Sequence, residues 1–222
     1  MEPHGVAEID RPTATTTLLL PEPPRVEAFV HPLIGTTAVV TASWLGRQSF
    51  HASSFVRTGR VWGVVGDREQ GKSSTIAWCA AHGVDVFADD LLIVEAGQAL
   101  AGPRCLDLRE SAAAHFGMGQ PLGVIGTRAR WRATLPDVPA ELPLGGWIRL
   151  RWDDDVAVRT VDAADRLQTL VDQRGLHLPE QSSAEWLRLL ALPMLELSRP
   201  REWTRLDQAM AVLLERIDAV SS

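Results

Sequence analysis

The sequence has few cysteines, no long apolar run and no excess of positive charge. Cys79 and Cys105 are too few and too isolated for a disulfide framework, and they lack the spacing of a metal site. We expect each to be a small buried hydrophobic residue. No stretch is apolar for long enough to span a bilayer, and the N-terminal stretch carries acids and prolines where a signal peptide would be apolar. We therefore expect a cytoplasmic protein.

The charge balance is acidic, with a formal net charge of −6 over 222 residues. This balance argues against general binding to nucleic acid or to a membrane surface, so we expect neither as a partner. Recognition of a phosphate group would have to rest on a local cluster of residues. Hydrophobic residues make up 45% of the chain and charged residues 23%, as in ordinary soluble globular proteins, and the length suits one domain.

The pattern of residues 61–95 predicts an apolar strand, a loop, a helix and a second apolar strand that ends in two aspartates. The loop, residues 66–73, has the pattern G-x-x-x-x-G-K-S. Such a loop wraps its backbone N–H groups around phosphate oxygens, while Lys72 neutralises the β- and γ-phosphates and Ser73 offers a hydroxyl to Mg²⁺. The alternative, an ordinary strand-to-helix turn, does not explain why Gly71, Lys72 and Ser73 occur together. A nucleoside triphosphate with Mg²⁺ is therefore the expected ligand.

We predict that the nucleotide contacts the whole 66–73 loop and the residue after it. These positions are Gly66, Asp67, Arg68, Glu69, Gln70, Gly71, Lys72, Ser73 and Ser74. The four residues between the glycines are charged or carry an amide, whereas such loops usually hold more glycine where the backbone closes on phosphate. This loop therefore either binds nucleotide less tightly or uses Arg68 as an additional phosphate contact.

Two adjacent carboxylates, Asp89 and Asp90, follow the strand predicted over residues 84–88. In an open α/β sheet the carboxyl ends of the strands form the edge where ligands bind, so this pair is expected beside the loop. One aspartate would activate a hydroxyl or hold Mg²⁺, and the other would orient a neighbour such as His51. A solvated acidic turn is the alternative for the pair. A hairpin turn at Thr58-Gly59 would return His51 to the mouth of the loop. The alternative for His51 is a capping or packing role.

Further charged residues lie on two predicted strands. Asp107 and Arg109 share one face by the period of two, which suits either a metal or phosphate contact in one cleft or a surface salt bridge. Arg128, Arg130 and Arg132 alternate in the same way and form either an anion contact or a solvated strand face.

The rest of the chain predicts an α/β protein. Residues 1–24 read as a poorly ordered lead or an edge strand near residues 15–20, and residues 25–222 as a single domain. Within that domain we expect a small antiparallel sheet over residues 25–50, and a short helix with a mobile loop over residues 111–126. A connector is expected over residues 136–143, a strand over 147–152 and a helix from 161. The final part, residues 183–217, is predicted as helices interrupted by Pro193 and Pro200.

The order of His51, a strand, the G-x-x-x-x-G-K-S loop, a helix and Ala88-Asp89-Asp90 resembles the catalytic domain of HPr kinase/phosphorylase and its HPr-kinase-like relatives. The segment Leu106 to Arg109 stands where that family has Glu-Ile-Arg-Gly. The resemblance implies a P-loop nucleotide-binding fold of the phosphoenolpyruvate-carboxykinase-like type, a mixed sheet with flanking helices, and transfer of phosphate from ATP to a serine hydroxyl.

The same resemblance implies a role for each site residue. Lys72 would bind phosphate, and Ser73 and Asp107 would hold Mg²⁺. Asp89 would be the base that activates the acceptor hydroxyl, and Asp90 would pair with His51. Because HPr kinases assemble as oligomers, the resemblance also implies a homo-oligomer.

The chain departs from the bifunctional kinase/phosphorylase in three respects. It has no room for the large N-terminal regulatory domain, its loop is poor in glycine, and Glu110-Ser111 follows Arg109 where the family has glycine. Compact relatives resemble kinases that tailor ribosomally made peptides, so the expected partner is a peptide or protein with an acceptor serine. A kinase for a small metabolite and a non-catalytic nucleotide sensor stay open as alternatives.

Overall fold

A computed structural model describes residues 5–13, 15–125, 128–175 and 183–221. The described chain begins with an antiparallel hairpin of β1 (Val6–Asp10) and β2 (Thr15–Leu19). Strand β2 confirms the predicted edge strand near residues 15–20. Five residue pairs of the hairpin face each other in register.

The segment predicted as a small antiparallel sheet, residues 25–50, is mostly helical. It contains α1 (Val26–Ala28), one π-helical turn (Phe29–Leu33) and α2 (Ile34–Trp44), and only β3 (Gln48–Phe50) is a strand. The β-branched residues that suggested strands raise the free energy of a helix by less than about 1 kcal/mol each. Such a preference yields to tertiary packing, here of α2 against β3 and β1.

A nine-stranded mixed sheet forms the body of the protein. In addition to β3 it contains β4 (Ser53–Arg57), β5 (Arg60–Val65), β6 (Val86–Ala88), β7 (Leu92–Glu95), β8 (Gln98–Leu100), β12 (Glu141–Trp152), β13 (Ala157–Thr160) and β14 (Met194–Arg199). The order is β3-β7-β8-β12-β5-β4-β6, with β14 paired to β12 and β13 paired to β14. Strand β12 joins the sheet's parts, because its first residues pair antiparallel with β8 and its later residues run parallel to β5 and β14.

Four strands of this sheet end at the same edge. Strands β5, β12 and β14 are parallel, and β6 points the same way because both β6 and β5 are antiparallel to β4. Their last residues are Val65, Trp152, Arg199 and Ala88. Because ligands bind at the carboxyl edge of such strands, the residues at and just beyond these ends are the natural place for a site.

A second, three-stranded antiparallel sheet lies beside this edge, with the order β10-β11-β9. It consists of β9 (Cys105–Leu108), β10 (Gln120–Ile125) and β11 (Arg128–Thr134), and α4 (Glu110–Phe116) connects β9 to β10. Strand β11 confirms the predicted strand that carries the arginines, and α4 confirms the short helix. The predicted mobile loop after α4 is wrong, because β10 pairs with β11 through a bulge for which Gly123 takes a positive φ of 73°.

The remaining helices cover both faces of the large sheet. Helices α3 (Lys72–Ala81) and α7 (Leu206–Ser221) pack on one hydrophobic cluster, to which the sheet contributes Val64 and Ile148. Helices α5 (Ala163–Asp172) and α6 (Ser183–Ala191) pack on another, to which it contributes Val65 and Trp147. Successive residues of one strand thus enter opposite cores, as the period of two requires.

Two predictions about the second half of the chain need correction. The strand expected over residues 147–152 already begins at Glu141, so the predicted connector ends before Pro143. The segment between Pro193 and Pro200, predicted as part of a helical region, contains β14. The two prolines flank this strand and do not interrupt it. Within the ranges described above, none of the helices has both the length and the apolar character that crossing a membrane requires.

Candidate functional site

The 66–73 loop connects β5 to α3 and depends on glycine at its second end. Gly71 has a φ of 89°, a conformation that side chains disfavour. A Cβ at this position would lie 2.5 Å from Nη2 of Arg199 and 3.0 Å from the ring of Trp152. Inside the loop, the Asp67 N–H donates to Oε1 of Gln70 at 2.9 Å. The loop is therefore closed on itself and packed against the ends of β12 and β14.

Lys72 is the first residue of α3, and its side chain folds back under the loop. Its Nζ donates to the carbonyl oxygens of Gly66 at 2.5 Å and Asp67 at 3.3 Å, and only 9% of the residue is exposed. Burial lowers the pKa of Lys72, while the charges of Asp90, Asp67 and Asp89 act in the opposite direction. A cation is thus held at the base of the loop, close to acidic residues.

Asp89 follows β6 and is only partly exposed. Its carboxylate accepts hydrogen bonds from Oγ of Ser53 at 3.1 Å and from the N–H of Asp107 at 3.2 Å. Burial, followed by the negative charge of Asp90, raises the pKa of Asp89 to about 7 even though both hydrogen bonds favour the charged form. A carboxylate with this pKa is suited to accept a proton at neutral pH.

Asp90 and His51 form the pair that the sequence predicted. Nδ1 of His51 lies 3.2 Å from Oδ1 of Asp90 and 3.1 Å from its carbonyl oxygen. The His51 N–H donates to the carbonyl oxygen of Gln173, which fixes the backbone on that side. Asp90 has a φ of 65°, a strained conformation for a residue with a side chain, of the kind that is frequent at functional sites.

Asp107 has arginine partners, which does not support the predicted role as a magnesium ligand. The carboxylate accepts from Nε of Arg132 at 2.7 Å and from Nη2 of the same residue at 2.8 Å, and Nη1 of Arg130 lies 3.4 Å away. Only 2% of the Asp107 side chain is exposed. Two positive charges against one carboxylate disfavour a further cation there. Across the described part of the chain, no three His, Cys, Asp or Glu side chains form a group that could hold a metal ion.

The remaining basic residues form a cluster at one end of the site. Arg109 donates to Glu69 of the loop at 2.9 Å, so the alternative of a salt bridge holds for Arg109. Arg68 and Arg109 lower the pKa of Arg128 by their positive charge. Repulsion of this kind favours binding of an anion.

These elements enclose a cavity of about 730 Å³. Every residue predicted for the catalytic, nucleotide or metal site lines it except Gln70, whose side chain is instead bonded within the loop. Of the three arginines predicted as a possible anion contact, Arg128 and Arg130 line the cavity and Arg132 does not. A smaller cavity of about 160 Å³ lies on the other side of Asp89, between the α2 region and β7 and β8, and most of its walls are apolar. Asp89 and Asp107 line both cavities.

Comparison with known proteins gives a distant structural likeness. No family model matches the sequence, and no curated protein matches it. Among solved structures, the Hpr(Ser) kinase/phosphatase from Coxiella burnetii is similar with a TM-score of 0.36 and 14% sequence identity, over 78% of this chain and 98% of that chain. Likeness at this level assigns no function to this chain.

Three residues of the site were not predicted from the sequence. Ser53 donates to Asp89, while Trp152 and Arg199 line the large cavity beside Gly71. For Arg199 a signal was present: residues 195–198 of the segment Met194–Arg199 alternate apolar and polar side chains, and two prolines flank the segment, which is typical of a strand. Ser53 carries no pattern of its own, because its partner lies 36 residues away in the chain.

Proposed function

We propose that this protein is an ATP-dependent kinase that transfers the γ-phosphate to a serine hydroxyl of a peptide or protein. The observation that carries the proposal is the position of Asp89. This carboxylate has its pKa raised to about 7 and lines the same cavity as Lys72 and the 66–73 loop. A base that is half-ionised near neutral pH, next to a loop of phosphate-binding pattern, suits activation of a hydroxyl for attack on phosphorus.

In the proposed reaction the acceptor hydroxyl gives its proton to Asp89. The hydroxyl oxygen then bonds to the γ-phosphorus, the bond from that phosphorus to the bridging oxygen breaks, and ADP leaves. Lys72 and the backbone N–H groups of the loop bind the phosphate oxygens. Ser53 and the N–H of Asp107 orient the Asp89 carboxylate through their hydrogen bonds, and His51 holds Asp90 beside it.

Mg²⁺ bound with the nucleotide would neutralise charge on the phosphates. Ser73 fits the role of a ligand, because it is exposed and lines the large cavity at the start of α3. Asp107 does not fit it, since its carboxylate is bonded to Arg132. We therefore assign Asp107 the role of holding Arg132 and Arg130, of which Arg130 lines the cavity.

The smaller cavity supports a peptide as the acceptor. It reaches Asp89 from the side away from the loop, and its apolar lining includes Val30, Ile34, Ile93 and Leu100. Aliphatic walls suit a peptide segment with apolar side chains next to its serine better than they suit a charged metabolite. A metabolite kinase would use the same catalytic residues, so the acceptor has to be identified by experiment.

Phosphate transfer tests the proposal directly. The protein is incubated with ATP and Mg²⁺ and with small peptides ending in serine, an HPr-type protein or small hydroxyl compounds, and the acceptor masses are measured. We expect one peptide or protein to gain one phosphate, and we expect the Lys72→Ala variant to lose this activity. Bound ATP with no phosphate on any acceptor would instead indicate a nucleotide sensor and overturn the proposal.

The pH dependence of transfer is a further prediction. Because Asp89 must be ionised to take the proton, the rate at saturating ATP should fall about tenfold for each pH unit below about 7 and level off above it. Initial rates measured from about pH 5 to about pH 8.5 check this, with ATP affinity recorded over the same range as a control. A rate that does not change across the range would exclude Asp89 as the base.

A further inference from the structure

Arg199 is a buried cation that has no acidic partner among the described residues. Only 4% of the residue is exposed. Neither its Nε nor its Nη2 has a hydrogen-bond partner among residues 5–13, 15–125, 128–175 and 183–221. Buried guanidinium groups are normally paired with an acid and fully hydrogen-bonded, because removing an unpaired charge from water is strongly unfavourable. The position therefore calls for an anion that the described part of the chain does not supply.

The fold places this cation at the 66–73 loop. Arg199 ends β14 and Trp152 ends β12, and the two strands run parallel, with these residues paired in register. The guanidinium carbon lies 4.5 Å from the centre of the Trp152 ring. The indole N–H of Trp152 donates to the carbonyl oxygen of Glu69 at 3.1 Å. The stacked pair is thus tied to the loop through a hydrogen bond.

The contact with Gly71 shows how close the cation comes to the start of α3. A Cβ on Gly71 would lie 2.5 Å from Nη2 of Arg199, so only glycine leaves room for the guanidinium. Both residues line the large cavity. The N–H groups at the start of this ten-residue helix and the partial positive charge there already favour an anion.

Three other arginines at or next to the cavity have an acidic partner, whereas Arg199 has none among the described residues. Arg132 and Arg130 face Asp107, and Arg109 faces Glu69. Burial lowers the pKa of Arg199 to about 10, in the direction expected for a cation removed from water. An oxyanion in the cavity would offset that loss of hydration.

We propose that Arg199 is a phosphate-binding residue whose guanidinium pairs with a phosphoryl oxygen of the nucleotide held by the 66–73 loop. The inference rests on the proposed function, since it takes the loop to be the site of the triphosphate. Trp152 positions the guanidinium by stacking, and Gly71 leaves it room. A planar guanidinium forms two parallel hydrogen bonds to a phosphate, which a lysine ammonium does not.

The test is the affinity of the full chain for two probes, MgATP and inorganic tripolyphosphate, measured by calorimetry. Arg199→Gln should weaken both by about 10- to 100-fold. The affinity of Arg199→Lys for each probe should lie between those of the wild type and Arg199→Gln, since lysine keeps the charge but not the planar guanidinium. Arg159→Gln is the matched control, because Arg159 is exposed on the neighbouring strand β13 and lies outside the cavity. It should bind both probes as the wild type does.

Melting temperatures without ligand separate binding from a structural role. Removing an unpaired buried charge should leave the melting temperature of Arg199→Gln unchanged or higher. The proposal would be overturned if both Arg199→Gln and Arg199→Lys bound the two probes as tightly as the wild type does. A lowered melting temperature with unchanged affinity would overturn it as well. Either result would leave the proposed function standing. If Arg199→Gln does not fold, wild-type affinity in Arg199→Lys alone would overturn the proposal for Arg199. A wild-type protein that binds neither probe would overturn both.

Discussion

Replacing Asp89 by asparagine is expected to lower phosphate transfer by about 10²- to 10⁴-fold, which is the usual contribution of a general base. ATP affinity should stay within about twofold of the wild type, because Asp89 is not part of the loop that holds the phosphates. Asparagine keeps the shape of the side chain: its one oxygen can accept from the Asp107 N–H, and its NH2 group can donate to Oγ of Ser53. What it loses is the capacity to take a proton.

The comparison requires transfer rates and ATP affinities for the variant, the wild type and the control Asp154→Asn, which changes an exposed aspartate outside both cavities. An undiminished rate in Asp89→Asn would remove Asp89 from the mechanism.

The same variant should be more stable than the wild type at alkaline pH. Burial raises the pKa of Asp89 from 3.8 to about 7, so the folded state binds the proton more tightly than the unfolded state does. The contribution of Asp89 to the free energy of unfolding therefore falls as the pH rises between these two values. Chemical denaturation at about pH 4 and about pH 8 should show a higher free energy of unfolding for Asp89→Asn than for the wild type only at the higher pH.

Replacing Asp107 by asparagine should lower the free energy of unfolding by about 3 kcal/mol, because it breaks a buried ion pair from one side. The Asp107 side chain is 2% exposed, and that of Arg132 is 12% exposed. Without the carboxylate, Arg132 and Arg130 lose their shared counter-charge. Urea denaturation measures the effect. The control is Glu95→Gln in the exposed pair with Arg47, for which a change below about 1 kcal/mol is expected.

This prediction distinguishes the two roles considered for Asp107. If Asp107 were a magnesium ligand, its replacement would raise the Mg²⁺ concentration that nucleotide binding requires and leave the stability of the metal-free protein unchanged or higher. If it holds the arginines, stability falls without metal. Unchanged stability together with a higher Mg²⁺ requirement would return Asp107 to the role that the family resemblance implied.

The centre of the site could be predicted because its signals are local in the chain. The strand, the 66–73 loop and α3 are consecutive, so one stretch contains the pattern that specifies them. Asp89 and Asp90 follow the next strand, whose end meets the same edge of the sheet. The hairpin turn at Thr58 and Gly59, both of which have positive φ, predicted that His51 returns to the mouth of the loop. Its pairing with Asp90 was implied by the family resemblance. Short-range turn geometry therefore located most of the cavity.

The predictions that were wrong or missing concern structure that depends on contacts between distant segments of the chain. The β-branched residues of α2 favour a strand locally, but packing against β3 stabilises a helix. The face of Asp107 was predicted, but its partner follows from the register of β9 with β11, which sets Asp107 opposite Arg132. Arg199 was missed because the flanking prolines were interpreted as interruptions of a helix. In each case the deciding interaction joins residues that no local pattern connects.

Calorimetric titration of MgATP into the wild type and into Lys72→Ala tests the central claim most directly, since it requires no knowledge of the acceptor. Lys72 is held at the base of the loop by the Gly66 and Asp67 carbonyl oxygens, where a phosphate would meet it. We predict that the wild type binds MgATP and that Lys72→Ala binds it about 10- to 100-fold more weakly. A wild type that does not bind MgATP, or a variant that binds it equally well, would contradict the assignment of this cavity to a nucleotide.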